Sequence, residues 1–530
     1  MLCNEIRTIT HCRISKYTEF EKQIPFIVDP CNQYLTELYR SDSPEHLFGR
    51  KGRNMSLRCI TRTALLLDTY NNNYISGIYQ TAQLFCTYKS GRINNDVDDD
   101  ERKYQNLAKQ CFLSKEQTCF VIHPYIKWGW KKEKDVTAQS QMEEAVALIN
   151  TLPGWKVCKE VIVPLESFDK KTLFGKGTTM KLKEQTRHHS DSTAIFLNMS
   201  KLRTAQIIEL ENIFQLLILD RYKVIMHILR AHATSTHAKL QVSLAEIPYL
   251  RSRLKYLDIG TSQNWETKGK MLEEREQKIK NAIKKLRSQR ILLRNKRKDL
   301  NYPIVAIIGY TNAGKTSLVK SLTGSQSLKP ENQLFATLDI TMHAGLLPSK
   351  LKVLYVDTVG FISNIPTDLI ECFIATFEDA LLADVIIHVQ DISHENVLYQ
   401  RKHVNIILNQ LAQQVGDSNW SKRVITVGNK WDIAASVADP EKDMILVSAK
   451  TQQGIDVLRQ KIENKVLEVT DRNIITIRVP SGGQEMRWLY KEATVVKQMK
   501  DNTNNEFQFV EIIITNEKVK QFYKHFIGNN

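Results

Sequence analysis

At 530 residues the chain is too long for one hydrophobic core and implies about three or four domains. Its 42% hydrophobic and 25% charged residues suit a globular protein, and no run reaches the roughly 18 uninterrupted apolar residues of a membrane span. A net charge of +16 favours a polyanionic partner, nucleic acid first, and nine scattered cysteines without a C-x-x-C pair exclude a disulfide framework and read as reduced thiols.

Residues 1–110 read as a disordered N-terminal region. Between Met55 and Arg92 the only acid is Asp68, while Arg58, Arg62, Lys89 and Arg92 sit among hydroxylated and apolar residues. That is the composition of a mitochondrial presequence, with Met55 as an alternative start; the other reading is a tail without an address. No secretory pattern is present. The expected compartment is the mitochondrial matrix, with the cytoplasm as the alternative. The acidic run Asp96 to Glu101 reads as a solvated linker.

Lys268 to Asp299 is dense in Lys and Arg, with apolar positions at Leu272, Ile279, Leu286 and Leu293, and Ile283 filling in. The seven-residue spacing predicts a long basic helix with one apolar seam. A second seam, Leu240, Ile247 and Leu254, predicts a partner arm of an antiparallel hairpin, which Pro248 should kink or shorten. The basic face is either a solvated coiled coil or a surface for RNA phosphates.

Ile304 to Ile308 is an apolar, β-branched run that predicts a buried parallel strand. Gly309-Tyr310-Thr311-Asn312-Ala313-Gly314-Lys315-Thr316 follows, with Ser317 behind it, in the strand-to-helix setting of a phosphate-binding loop. Its amides and the helix N-terminus would cradle phosphates, Lys315 would reach the β- and γ-phosphates, and the Thr316 hydroxyl would hold Mg²⁺. Asn312 is read two ways, as a K⁺ ligand neutralising phosphate charge or as a turn-stabilising side chain. Phe335-Ala336-Thr337-Leu338-Asp339 carries Thr337, the candidate switch threonine on Mg²⁺, with Thr341 as its competitor.

Val353 to Val356 predicts a second strand ending in Asp357-Thr358-Val359-Gly360; Asp357 would hold Mg²⁺ through water and the Gly360 amide would sense the γ-phosphate. Lys315, Thr337, Asp357 and Gly360 are thus the candidate catalytic set. Phe361 stands where many such enzymes carry a water-orienting glutamine, so hydrolysis should be slow without an activator. Val385 to Val389 and Val424 to Val427 predict further strands. Asn429-Lys430-Trp431-Asp432 follows the latter, with Asp432 accepting from guanine N1–H and the 2-amino group, a donor pair adenine lacks. Ile445 to Val447 leads to Ser448-Ala449-Lys450, whose amides would meet guanine O6. Five ordered loops at strand ends predict a nucleotide site for GTP and GDP. From Ile474 onward alternation predicts strands, a helix over Gln484 to Tyr490 and two more strands, a small α+β domain.

On these motifs, together with Phe174-Gly175-Lys176-Gly177, Asp220-Arg221, Gln241-Val242-Ser243-Leu244-Ala245 and Asp357 to Ile362, the chain resembles the HflX family of GTPases, particularly its mitochondrial members. The resemblance runs from about Cys111 to the C-terminal domain. It implies an α/β fold: an N-terminal α/β subdomain over 111–237, a basic helical hairpin over 238–300, a P-loop G domain over 301–470 and a small α+β domain over 471–530. It also implies GTP hydrolysis, binding to the large ribosomal subunit and its rRNA, ribosome splitting or recycling, and a role in large-subunit maturation. A monomer is expected. A protein-binding signalling switch, or an assembly scaffold with incidental hydrolysis, is the alternative. Where the family usually carries Arg-Gly-Pro-Gly-Glu at the hairpin tip, this chain reads Ile259 to Lys268 without that loop.

Overall fold

The computed structural model describes residues 104–108, 112, 116–128, 136–257, 264–299 and 302–526, apart from 327, 329, 331–333, 336–339, 364–376, 379, 435–442 and 502–503. The presequence reading, the acidic linker, Ile259 to Gln263 of the hairpin tip, and Ala336, Thr337, Leu338 and Asp339 lie outside the described residues. Residues 104–108 are helical, with Tyr104, Leu107 and Ala108 buried, so folded structure begins before the boundary expected at 110. Their anchor is the Tyr104 hydroxyl, which donates to Glu246 under the guanidinium of Arg275.

The N-terminal subdomain alternates strands and helices: β1 (Thr118–Ile126), α1 (Ala138–Asn150), β2 (Lys156–Leu165), α2 (Lys176–His188), β3 (Ala194–Leu197), α3 (Thr204–Phe214), β4 (Leu217–Asp220) and α4 (Arg221–His232). The strands form one parallel sheet in the order β2-β1-β3-β4. Parallel pairing demands helices on both faces, and the buried runs of β1 and β3 match that demand. Asp220 ends β4 and caps α4, accepting from the amides of Lys223 and Leu202.

The hairpin consists of α5 (Thr236–Leu257) and α6 (Asn264–Asp299), packed against each other. Ile247, Leu254, Leu272 and Ile279 are buried at the seam, and Leu240 and Ile283 pack beside it. Pro248 does not end its arm: α5 runs unbroken through it, 22 residues in all. Ala245, Ile247, Tyr249 and Leu250, all at most 3% exposed, pack the turns around the proline and offset the lost backbone hydrogen bond.

The G domain comprises β5 (Ile304–Gly309), α7 (Lys315–Thr323), β6 (Thr341–Leu346), β7 (Lys352–Asp357), β8 (Val385–Asp391), α8 (Val397–Val415), β9 (Val424–Asn429), β10 (Ile445–Leu446) and α9 (Ile455–Val469). Its sheet runs β10-β9-β8-β5-β7-β6, parallel except for β6, which pairs antiparallel with β7. The chain order reverses around β5, so the crevice at the carboxyl end of β5 is a switch point where a ligand is expected. The C-terminal domain has β11 (Arg472–Pro480), α10 (Gln484–Glu492), β12 (Thr494–Lys500), β13 (Phe507–Thr515) and α11 (Asn516–Phe526), with an antiparallel sheet ordered β11-β13-β12.

One core spans domains. Residues of α1 and α4, the hairpin seam, and α8 of the G domain form a single buried cluster that also takes in Tyr310, Phe361 and Phe377. The opposite face of the G-domain sheet packs on α7 and α9 and receives Ile513 from β13. Among the described residues no helix is long and apolar enough to cross a membrane.

Candidate functional site

A cleft of about 630 Å³ opens at the carboxyl end of the G-domain strands. Thr311, Asn312, Gly314, Lys315, Thr316, Ser317, Phe335, Thr358, Gly360, Asn429, Lys430, Asp432, Ala449 and Lys450 line it, so loops far apart in sequence meet there.

The buried strand β5 delivers the loop, and two left-handed residues turn it: Asn312 at φ +60° and Gly314 at φ +88°. Asparagine tolerates that conformation better than most residues, and Asn312 is exposed with no side-chain hydrogen bond among the described residues. At Gly314 a methyl would lie 2.3 Å from the Asn429 side-chain nitrogen, so glycine is required twice over. Lys315 is buried, its Nζ donating to the Tyr310 carbonyl at 2.9 Å. Burial pushes its ammonium down to about 8, against the pull of nearby Asp357. The Thr316 hydroxyl donates to Asp357 Oδ2 at 2.6 Å, and the Thr358 hydroxyl donates to the Ile307 carbonyl at 2.7 Å, locking the end of β7 to β5.

Gly360 sits directly beside the lysine: a methyl there would lie 2.9 Å from Lys315 Nζ and 2.8 Å from Thr311 Cα. Main-chain bonds clamp the two loops together, Thr311 N to the Phe361 carbonyl at 2.6 Å and Phe361 N to the Gly309 carbonyl at 3.0 Å. The Phe361 ring turns away from the cleft, 2% exposed and stacked on Phe377 at 4.5 Å. It supplies core packing and no polar atom to the cleft. Thr341 begins β6 opposite Asp357, exposed, with its hydroxyl 3.0 Å from His343 Nε2.

The base end is built as tightly. Asn429 is 2% exposed; its amide donates to the Ala313 carbonyl at 2.9 Å and its oxygen accepts from Ala449 N at 3.1 Å. One side chain thus ties the phosphate loop to both guanine loops. Asp432 accepts from the buried Ser448 hydroxyl at 2.8 Å, which orients the carboxylate. Lys430 takes a left-handed turn at φ +64° and pairs with Asp391 at 2.6 Å. Trp431 is 40% exposed and its amide donates to the Val447 carbonyl, so its part is positional.

Some sequence candidates contribute through backbone or fold rather than at the cleft wall. Gly309, Ala313, Asp357, Val359, Trp431 and Ser448 sit behind or beside the lining. Tyr310 departs most from expectation: its hydroxyl is buried against the N-terminal subdomain, so it offers the nucleotide only backbone. Sequence reading missed Asp391, and it missed Ser321 and Gln452. The Ser321 hydroxyl donates to the Ala449 carbonyl at 2.8 Å and accepts from Gln452 at 2.7 Å, a floor under the guanine loop. A hydroxyl one turn along the helix from the phosphate loop was the available clue.

A phosphate cradle on a helix N-terminus, a glycine switch against its lysine and an oriented carboxylate at the base end define a P-loop GTPase. A family profile described as "50S ribosome-binding GTPase" matches residues 304–430, and one described as "GTP-binding GTPase N-terminal" matches 139–229. GTP-binding protein 6 of Xenopus laevis is 41% identical over 423 residues, covering 77% of this chain and 79% of the relative. GTPase HflX of Caldanaerobacter subterraneus is 33% identical over 350 residues, covering 63% of this chain and 78% of the relative. A GTP-binding protein of Sulfolobus solfataricus, solved in complex with GDP, is 23% identical, covers 67% of this chain and 99% of that one, and superposes with a TM-score of 0.36. The chain belongs to the HflX family of GTPases; it binds GTP and GDP and hydrolyses GTP.

Proposed function

We propose that this GTPase acts on the large ribosomal subunit, its basic hairpin binding ribosomal RNA and its nucleotide state governing release. The observation that carries the proposal is the charge of α6. From Gln277 to Lys298 there are ten Lys or Arg and no acid, and Lys278, Lys284 and Lys285 are exposed. Cationic side chains along a rigid helix suit the phosphates of structured RNA, whose grooves are read by shape and backbone. The matching profile's description, a ribosome-binding GTPase, agrees with that chemistry. The compartment proposed is the mitochondrial matrix, on the composition of residues 55–92, and the task is ribosome splitting or recycling with late large-subunit maturation.

Mg²⁺ is the proposed cofactor. The Thr316 hydroxyl and the Asp357 carboxylate are hard oxygen donors side by side at the phosphate end of the cleft, the donor set this ion takes. When bound, the ion neutralises charge on the β- and γ-phosphate oxygens. Asn312, exposed at the loop apex, is the proposed K⁺ contact.

The test is sedimentation of the protein with mitochondrial large subunits at physiological salt, with a GTP analogue and with GDP. Nucleotide-dependent cosedimentation is expected. Reversing Lys278, Lys284 and Lys285 to Glu should weaken it and flatten its salt dependence, by a log–log slope of about 2 to 3 if each lysine meets one phosphate. Binding that ignores these reversals would instead favour a protein-binding switch. N-terminal sequencing of the mature protein from fractionated cells checks the compartment, and recovery from cytosol alone would remove the mitochondrial proposal.

A further inference from the structure

Where no glutamine follows the switch glycine, the main chain there is one source of geometry for hydrolysis. Phe361 gives the cleft no polar side-chain atom, so of the described residues that follow the switch glycine it is the backbone from Gly360 to Ser363 that can hold position. One end of that stretch is held by the phosphate loop, as described above. The other end is held by a different domain.

Both backbone polar groups of Ser363 are taken by side chains. Its N–H donates to the Tyr310 hydroxyl at 2.7 Å, and its carbonyl accepts from Arg221 of α4 at 3.0 Å. The Tyr310 hydroxyl in turn donates to Glu144 of α1 at 3.1 Å, and Glu144 pairs with Arg221. Arg221 is 3% exposed and is steadied by Asn198 Oδ1 at 2.9 Å. Burial, then the Glu144 charge, hold the Tyr310 phenol well above its ordinary range, so it remains a hydroxyl that can accept and donate at once. The same residue's carbonyl accepts from Lys315 Nζ. A continuous path of charged and buried hydrogen bonds therefore runs from two helices of the N-terminal subdomain to the γ-phosphate lysine and the switch.

We infer that Glu144 and Arg221 are positioning residues for GTP hydrolysis, acting from the N-terminal subdomain through Tyr310 and Ser363 to fix the segment after Gly360. Neither touches the cleft. A buried carboxylate–guanidinium pair makes hydrogen bonds stronger and more directional than neutral ones, and an arginine that loses its carboxylate partner inside the protein must shift to find another. Loosening the pair lets Ser363 drift, and with it the amide of Gly360, three residues away. Since the interaction acts on the switch rather than on the base or the α- and β-phosphates, its loss should appear in kcat and leave GDP affinity alone.

The experiment is a double-mutant cycle on the full chain, reading single-turnover GTP hydrolysis, GDP affinity and thermal melting. Glu144→Ala and Tyr310→Phe are each expected to lower kcat by about tenfold with GDP affinity changed by less than about threefold. The double variant should be no slower than the slower single, because both break one path. Glu144→Gln, which keeps an acceptor for the phenol, should recover most of the rate. Effects that multiply in the double variant, or a folded Glu144→Ala protein with unchanged kcat, would overturn the inference. If Glu144→Ala does not fold, Tyr310→Phe tests the phenol arm and Arg221→Lys the guanidinium arm, and an unchanged kcat in both refutes the inference.

Discussion

Replacing Gly360 by alanine is the sharpest probe of the switch. The added methyl would lie 2.8 Å from Thr311 Cα and Cγ2 and 2.9 Å from Lys315 Nζ. Carbon atoms settle at about 3.5 Å or more, so a gap of roughly 0.7 Å must open somewhere. Thr311 cannot yield, because its amide is tied to the Phe361 carbonyl at 2.6 Å and its Cα is backbone. The lysine tip is buried and held by the Tyr310 carbonyl. The switch itself must therefore back away from the phosphate loop. Misplacement by about 1 Å can cost 10²-fold in rate, so hydrolysis should fall by about 10- to 100-fold. GDP has no γ-phosphate for Gly360 to meet, and its affinity should stay within about threefold. Single-turnover hydrolysis beside equilibrium binding of a fluorescent GDP analogue measures both. Hydrolysis within about twofold of the parent, in a protein that melts normally, would show that Gly360 does not set the reactive geometry.

Two further outcomes follow from the cleft. Asp432→Asn removes the charged acceptor that Ser448 orients, and loss of charge-assisted bonds to guanine should weaken GTP binding by about 10²-fold while favouring xanthosine triphosphate, checked by competition binding. GTP affinity should be level below pH 8 and decline above it. The ammonium form of Lys315 binds phosphate, its pKa in the free protein is lowered to about 8, and the proton it loses as pH rises must be regained on binding. Titration of affinity from pH 6.5 to about 9.5 tests this, and the decline should vanish in Lys315→Ala, whose affinity is low throughout.

Much of the site was legible because its chemistry is local. Gly314, Lys315 and Thr316 act through backbone turns and helix position within a few residues of a β-branched strand, and Asp432 follows another such strand. The hairpin seam was legible because Ile247, Leu254, Leu272 and Ile279 keep one helical period. The strand β6 was missed. Its residues, Thr341 to Leu346, are mostly exposed at a sheet edge and carry no apolar run. The helix α11 was missed although Val519, Phe522, Tyr523 and Phe526 recur at helical spacing, with Phe522 the one fully covered. Pro248 did not break its arm, since a propensity acting on one hydrogen bond was outweighed by packing on both sides of it. Nothing local to Tyr310 announces Glu144, 166 residues away; only a folded core brings such partners together.

The long arm of the hairpin also has a mechanical meaning. Helix α6 ends at Asp299 and β5, the strand that delivers the phosphate loop, begins at Ile304. Thirty-six residues of helix make a rod of about 54 Å. Arg287, about a third of the way up from the G-domain end, is bonded to Glu378 of the G domain. Rotating such a rod by about 5° at that contact would sweep Asn264 through roughly 3 Å. Length alone would turn any change of angle at the G-domain end of this helix into a translation at its tip.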